Sequence, residues 1–314
     1  MDSNKLDKIT VTTKNNVTTT LNTSNTISDM IETIVNNSDK QEVTKDYLLT
    51  INGKSTTLKY LNISEIKDND SFNSIPHPYF SNIKKEKVDK KNIIDVTTMD
   101  DIVVYSPHPD DEILGTCTLL HTCFKLNKNI KVVYLTSGKT AGDPTLRQKE
   151  ATLGIKELGG NESHLFFTDM PFYSSEERSI TDKDYEYIKE LFRKYNSKYV
   201  FICADMFDPH RTHKKCFDCL FKVLNEDKEF ENIQVFFYYS TWYWPEEDEY
   251  NYIMPYNFEI YKCKIKAMLE HSSQMLTNFM GNDPRPFYQR ASFRDSKLGI
   301  KNGHDFCEIF YKWR

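Results

Sequence analysis

One stretch constrains this chain more than any other: Val104-Tyr105-Ser106-Pro107-His108-Pro109-Asp110-Asp111-Glu112. The run Ile102, Val103, Val104, Tyr105 is apolar and largely β-branched, so it reads as a short buried strand. Two prolines end it. One imidazole and three carboxylates follow at His108, Asp110, Asp111 and Glu112, and Ile113, Leu114, Leu119 and Leu120 then resume at helical spacing. A strand ends and a helix begins at a knot of like charge. Carboxylates this close repel unless something positive neutralises them. In an open α/β sheet, ligands bind outside the carboxyl ends of the strands, and His with Asp is a donor pair suited to zinc. The simpler alternative is an acidic N-cap, with Asp110 or Asp111 favouring the helix dipole. A single Asp fits that alternative. His-Pro-Asp-Asp-Glu after a buried strand points instead to a metal site.

The chain beyond this stretch alternates in kind. Apolar runs at 130–135, 164–167, 199–203 and 235–239 read as strands, separated by helical patterns at 146–158, at 182–195 and from the 205–213 loop to about 224. The βαβα order predicts an α/β fold over 101–314: a three-layer, Rossmann-like, mostly parallel sheet with helices on both faces. A further helix is predicted at 262–275. Residues 306–311 alternate like a closing edge strand.

The first hundred residues differ. Residues 1–46 are rich in Asn, Thr, Ser, Asp and Lys with no aromatic residue, which predicts a disordered polar tail. Residues 47–100 read as a small β-hairpin unit and a linker, because Asn52-Gly53 separates Leu49 and Ile51 from Leu58 and Tyr60.

Composition excludes some function classes. A net charge of -5 gives no support for nucleic-acid binding. No apolar run approaches the roughly 18 residues of a membrane span, and no secretory signal is visible at the N-terminus. The seven cysteines are odd in number and irregular in spacing, which suits reduced thiols in a cytoplasmic or other reducing compartment. Cys216 and Cys219 form a lone Cys-x-x-Cys with no second pair, so a structural zinc site is not expected there.

A catalytic zinc needs a third protein ligand and an open position. The loop after the fourth strand supplies Asp208-Pro209-His210-Arg211-Thr212-His213. In a parallel sheet this loop lies at the same end as the His108–Glu112 turn, so the two can meet.

With these parts in place the chain resembles the LmbE/PIG-L family of zinc-dependent N-acetylglucosaminyl deacetylases. The His-Pro-Asp-Asp-Glu run matches in full, and Thr136-Ser137-Gly138, Arg147, Glu150, Ala151 and Leu158-Gly159 follow the family pattern. The resemblance covers about residues 101–314. It implies one Zn²⁺ held by His108, Asp111 and His213, a ligand set that also suits Fe²⁺. It implies catalytic roles for Asp110, as general base, and His210. It implies substrate contacts from Arg147 and Asp169, the latter to sugar hydroxyls. A salt bridge to Glu150 on one helix face is the alternative role for Arg147. Thr212 stands where the family has Asp or Asn, a role left open to Asp205 or Asp208, and Lys139 stands where an acidic residue often follows the Gly. Lys264, Ala267, Ser273, Gln274, Glu308 and Phe310 match elements that look structural, and His271 reads as a packed or capping residue.

The expected activity is de-N-acetylation of a GlcNAc-containing small molecule or glycan. Two alternatives stand beside it. One is a zinc amidase acting on another N-acyl or amide-linked conjugate, differing in loops 139–146 and 240–256. The other is a non-catalytic glycan-binding relative, for which Thr212 is the main support. Trp242-Tyr243-Trp244 either stacks on sugar faces or covers the core.

Overall fold

The computed structural model describes residues 9–13, 18–21, 46–51, 54–59, 91–140, 142–176, 178–196, 198–204, 211–240, 249–274 and 287–314. Four strands come first: β1 (Ile9–Thr13), β2 (Thr18–Leu21), β3 (Asp46–Ile51) and β4 (Lys54–Lys59), in an antiparallel sheet of order β2-β1-β3-β4. Ile51 pairs with Lys54, so β3 and β4 are joined by two residues, where the sequence places its hairpin. Asn52 and Gly53 themselves lie outside the described residues. Strands β1 and β2 fall inside the span read from composition as a disordered tail. Their Ile, Val and Thr residues are β-branched, which suits extended backbone even where little can be buried.

The main sheet has eight strands. They are β5 (Asn92–Ile93), β6 (Ile102–Ser106), β7 (Ile130–Tyr134), β8 (Leu165–Phe167), β9 (Tyr199–Cys203), β10 (Gln234–Tyr238), β11 (Tyr252–Tyr256) and β12 (Phe306–Lys312). Their spatial order is β5-β11-β12-β10-β9-β6-β7-β8, and the five strands from β10 to β8 are mutually parallel. The chain proceeds from β6 outward through β7 to β8, then returns to the other side of β6 with β9. The crevice between the carboxyl ends of β6 and β9 is therefore the topological switch point, where α/β sheets bind ligands.

Six long helices cover the two faces among the described residues: α1 (Asp111–Lys125), α2 (Pro144–Glu157), α3 (Asp182–Tyr195), α4 (Arg211–Glu226), α5 (Phe258–Glu270) and α6 (Phe287–Lys301). Strand β6 shows why both faces must be covered. Ile102 and Val104 enter one core with Leu114, Ile155 and Met268, while Val103 and Tyr105 enter the other with Leu191 and Phe217. Apolar side chains on both faces of a strand require a layer of helices on each. The three-layer, mostly parallel architecture is the one the alternation of elements predicts. No helix among the described residues is long and apolar enough to cross a membrane, and no disulfide joins the seven cysteines.

Several expectations change. The closing strand β12 is not an edge: it lies antiparallel between β10 and β11, and Phe306 to Phe310 are buried throughout. The region read as a pocket loop to residue 256 ends in β11, whose Pro255 argues against a strand when read locally. Pro255 pairs with Cys307 on one side, and on its other side β5 reaches only Tyr252 and Ile253, so the missing N–H leaves no ladder bond unmade. The helix expected at 262–275 begins earlier, at Phe258, where Asn257 caps the Ile260 N–H at 3.1 Å.

Candidate metal centre

The turn after β6 is held by its own polar groups. Ser106 Oγ donates to the His108 carbonyl at 2.7 Å. Glu112, fully buried, accepts the Asp110 backbone N–H on one oxygen at 3.0 Å and the Tyr134 hydroxyl on the other at 2.7 Å. Burial pushes the Glu112 carboxyl up to about 7. Across the turn, Thr136 donates through both its N–H and its hydroxyl to the Pro107 carbonyl, at 3.0 and 2.6 Å. These contacts hold Asp110, which occupies the N-cap position of α1 without a capping side-chain hydrogen bond, at φ 146°, a conformation L residues rarely adopt. Strain of this kind costs of order 1–3 kcal/mol and persists where the surroundings over-determine it.

Three side-chain atoms converge at the switch point. His108 Nδ1 lies 2.9 Å from His213 Nε2 and 3.3 Å from Asp111 Oδ2, and His213 Nε2 lies 3.1 Å from the same oxygen. His108 and Asp111 come from the β6 turn, and His213 comes from the first turn of α4, after β9. Ligands about 2.0–2.1 Å from a tetrahedral ion stand roughly 3.3 Å apart, so this triangle fits a divalent metal with a position left open. The donor set, two imidazoles and a carboxylate, has the chemistry of a zinc or ferrous site. Burial lowers the His108 imidazole to about 4, leaving it neutral near pH 7, as a metal ligand must be. For Asp111 burial acts upward, but His213 and His108 outweigh it and hold the carboxyl well below its ordinary value. Among the described residues this is the cluster able to hold an ion.

Asp110 is next to the triangle but outside it. Its Oδ2 accepts from Arg147 Nη2 at 2.9 Å, and the same nitrogen donates to the Pro109 carbonyl at 2.6 Å. Asp110 Oδ1 has no hydrogen-bond partner among the described residues. Burial pushes the Asp110 carboxyl up, Arg147 pulls against it, and Asp111 and Glu112 push it up again, leaving it well above the ordinary value. Gly138 makes room for this arrangement. Its φ is +71°, and a Cβ there would sit 3.0 Å from Arg147 Nη1.

Arg147 does not form the helix-face bridge to Glu150. Glu150 instead accepts the Ser273 N–H and hydroxyl at 2.7 and 2.6 Å and the Ser272 hydroxyl at 3.0 Å, tying α2 to the end of α5. Asp169 accepts the Ser137 N–H at 2.7 Å and lies 3.4 Å from Lys139, so it joins the β7 and β8 exit loops beside the centre. His271 is a packed residue: it is fully buried, its ring nitrogens have no hydrogen-bond partner among the described residues, and burial lowers it to about 3. His210, Asp205, Asp208 and the Trp242-Tyr243-Trp244 segment lie outside the described residues. Sequence reasoning missed the role of Tyr134 as the partner of Glu112 and the Arg147–Asp110 pair. The signal for the pair was an Arg in the helix after a Gly-containing strand exit, which does not by itself name a partner.

Several known proteins resemble this chain in sequence or fold. Residues 103–224 match the PIG-L family model, described as GlcNAc-PI de-N-acetylase. A curated relative, a putative glucosamine-6-phosphate deaminase-like protein of Bacteroides thetaiotaomicron, is 24% identical over 257 residues, covering 62% of this chain. The match spans 39% of that relative's length. The conserved protein TT1542 of Thermus thermophilus shares the fold at TM-score 0.54 and 20% identity, over 68% of this chain and 94% of its own. The N,N'-diacetylchitobiose deacetylase of Pyrococcus horikoshii, solved with an inhibitor, does so at TM-score 0.52 and 17% identity, over 76% of this chain and 94% of its own.

Proposed function

Taking the match of residues 103–224 to the PIG-L family model as the premise, we propose that this protein is a zinc-dependent hydrolase that removes the N-acetyl group from a GlcNAc-containing substrate. The observation that carries the reading is the His108, Asp111, His213 triangle with a half-buried, Arg-held carboxylate, Asp110, at its side. The amino-sugar vocabulary of the family description and of the Bacteroides relative supports the substrate class.

In this reading His108, Asp111 and His213 hold the ion. Bound there, zinc supplies Lewis acidity for an acyl carbonyl and lowers the pKa of a water. Asp110 takes the proton of the attacking water on Oδ1, because Arg147 occupies Oδ2 and fixes the direction of the carboxylate. The raised affinity of Asp110 for protons suits a base that must hold one and then return it. The water's oxygen bonds to the acyl carbon, the amide C–N bond breaks, and the proton passes to the departing amine, giving acetate and a free amine. His210 is assigned the oxyanion and a share of the proton return. Asp169 and the Ser137 loop hold the sugar hydroxyls at the rim.

The test is acetate release from a panel of N-acetylglucosamine compounds: free sugar, chitobiose, nucleotide sugar and inositol-linked sugar. Each is assayed with and without zinc, with the wild type and with Asp110→Asn. Zinc-dependent release that disappears in Asp110→Asn is the expected result. No release from any compound by zinc-loaded wild type, with measurable binding of one of them, would establish a glycan-binding protein instead.

A further inference from the structure

Helix α1 is broken in its middle, and the break is filled by charge. Thr116 has φ -135° and ψ 21°, outside the helical region. In an unbroken helix the Thr118 N–H would donate to the Leu114 carbonyl four residues back. Here both groups have other partners. Thr118 N donates to Glu308 Oε2 at 2.9 Å, and the Leu114 carbonyl accepts from Lys264 Nζ at 3.0 Å and Arg294 Nη2 at 3.1 Å.

These inserted groups form one buried cluster. Lys264 Nζ lies 2.6 Å from both Glu308 Oε1 and Asp295 Oδ2, and Arg294 donates to Asp295 Oδ1 at 3.1 Å. Tyr256 donates its hydroxyl to Asp295 Oδ2 at 2.7 Å, and Arg294 Nη1 donates to the Tyr239 carbonyl at 2.8 Å. All four charged side chains are at most 2% exposed. Two cations and two anions balance. Four charges in a core are a weak route to stability, because desolvation offsets much of the mutual attraction. What they do here is replace one helical hydrogen bond from both of its ends.

The segment freed by the break is the one that bears the site. It runs Asp111 to Gly115, with Asp110 as its cap, and it is seated against the end of β10. A Cβ at Gly115 would meet the Tyr238 ring and stand 2.6 Å from the Tyr239 carbonyl, so only glycine permits that approach. Arg294 grips the same Tyr239 carbonyl. We propose that Lys264, Arg294, Asp295 and Glu308 are positioning residues, which hold α1 broken so that its first turn aims Asp111 at His213 and Asp110 at the reacting water. This inference rests on the metal reading above. It extends that reading to side chains from α5, α6 and β12 that touch none of the reacting atoms.

The test uses full-length protein loaded with cobalt(II), whose visible absorption reports ligand geometry. Glu308→Gln keeps shape and one acceptor oxygen but removes the partner charge of Lys264, and Lys264→Met keeps length but removes a donor from the Leu114 carbonyl. Both are expected to weaken cobalt affinity by about 10- to 100-fold, the range for groups that orient metal ligands, and to shift the cobalt absorption. Ile233→Ala, at the buried residue just before the opposite end of β10, is the control: it is expected to lower the melting temperature and to leave affinity and spectrum unchanged. Cluster variants with wild-type affinity and spectrum, or a control with the same changes, would overturn the positioning role. Failure of both cluster variants to fold would overturn it in favour of a purely architectural one. A wild type that binds no cobalt would remove the metal reading and this inference with it.

Discussion

His108 and Asp111 stand on a turn held by polar contacts, whereas His213 stands on a helix held by apolar packing. On the first side, the Asp110 backbone is strained, Glu112 ties the turn to Tyr134 of β7, and α1 is opened at Thr116 by side chains from distant elements. On the second, α4 is an ordinary amphipathic helix, with Cys216, Phe217, Leu220, Phe221 and Leu224 buried. Phe217 packs edge-on to Phe237 with ring centroids 5.4 Å apart, and Phe221 lies 4.6 Å from the Trp313 ring centroid. Apolar packing fixes where a helix lies but is tolerant in detail. Hydrogen bonds to charged groups fix direction more sharply. The polar side of the centre is therefore expected to govern ligand geometry and the base, and the apolar side to govern stability.

Four substitutions sharpen or break that contrast, from the largest effect to the smallest. Asp111→Ala should abolish stoichiometric zinc, measured by elemental analysis of the purified chain, because it removes a ligand. Asp110→Asn should retain the ion and lose about 10²- to 10⁴-fold in turnover, the usual worth of a general base. An unchanged rate would remove Asp110 from that role. Phe217→Ala, on the apolar side, should cost about 3–5 kcal/mol in denaturant unfolding and leave the metal spectrum of the folded protein unchanged. A shifted spectrum would erase the distinction between the two sides. Lys139→Ala, at the partly exposed 3.4 Å pair with Asp169, should change stability by less than about 1 kcal/mol.

The same contrast explains what was legible in the sequence. The His-Pro-Asp-Asp-Glu turn stood out because a local excess of like charge after an apolar strand has few physical explanations. The α4 helix and the parallel sheet could be read from periodicity and alternation. Of the cluster that opens α1, the family resemblance marked Lys264 and Glu308 as structural but not their contacts, since Thr118 and Glu308 are 190 residues apart, and Lys264 and the Leu114 carbonyl 150. A lysine and a glutamate read singly look like solvated surface residues. The interior position of β12 was hidden for a related reason: alternation reports which faces a strand buries, not whether both of its edges are paired. Strand β11 was hidden inside the span read as the 240–256 loop, and its Pro255 is tolerated because the neighbour strand stops short. The Arg147–Asp110 pair lay between these cases, with both residues noticed and their contact set only by the turn between strand and helix.

The most direct measurement is the metal content and X-ray absorption spectrum of the full chain after equilibration with zinc, for the wild type and for His213→Ala. One ion per chain, with two nitrogen and one oxygen protein ligands at about 2.0–2.2 Å, and its loss in His213→Ala, is the expected result. A wild type that retains no ion, or an ion whose content and ligand shell are the same in His213→Ala, would contradict the assignment of His108, Asp111 and His213 as the metal centre.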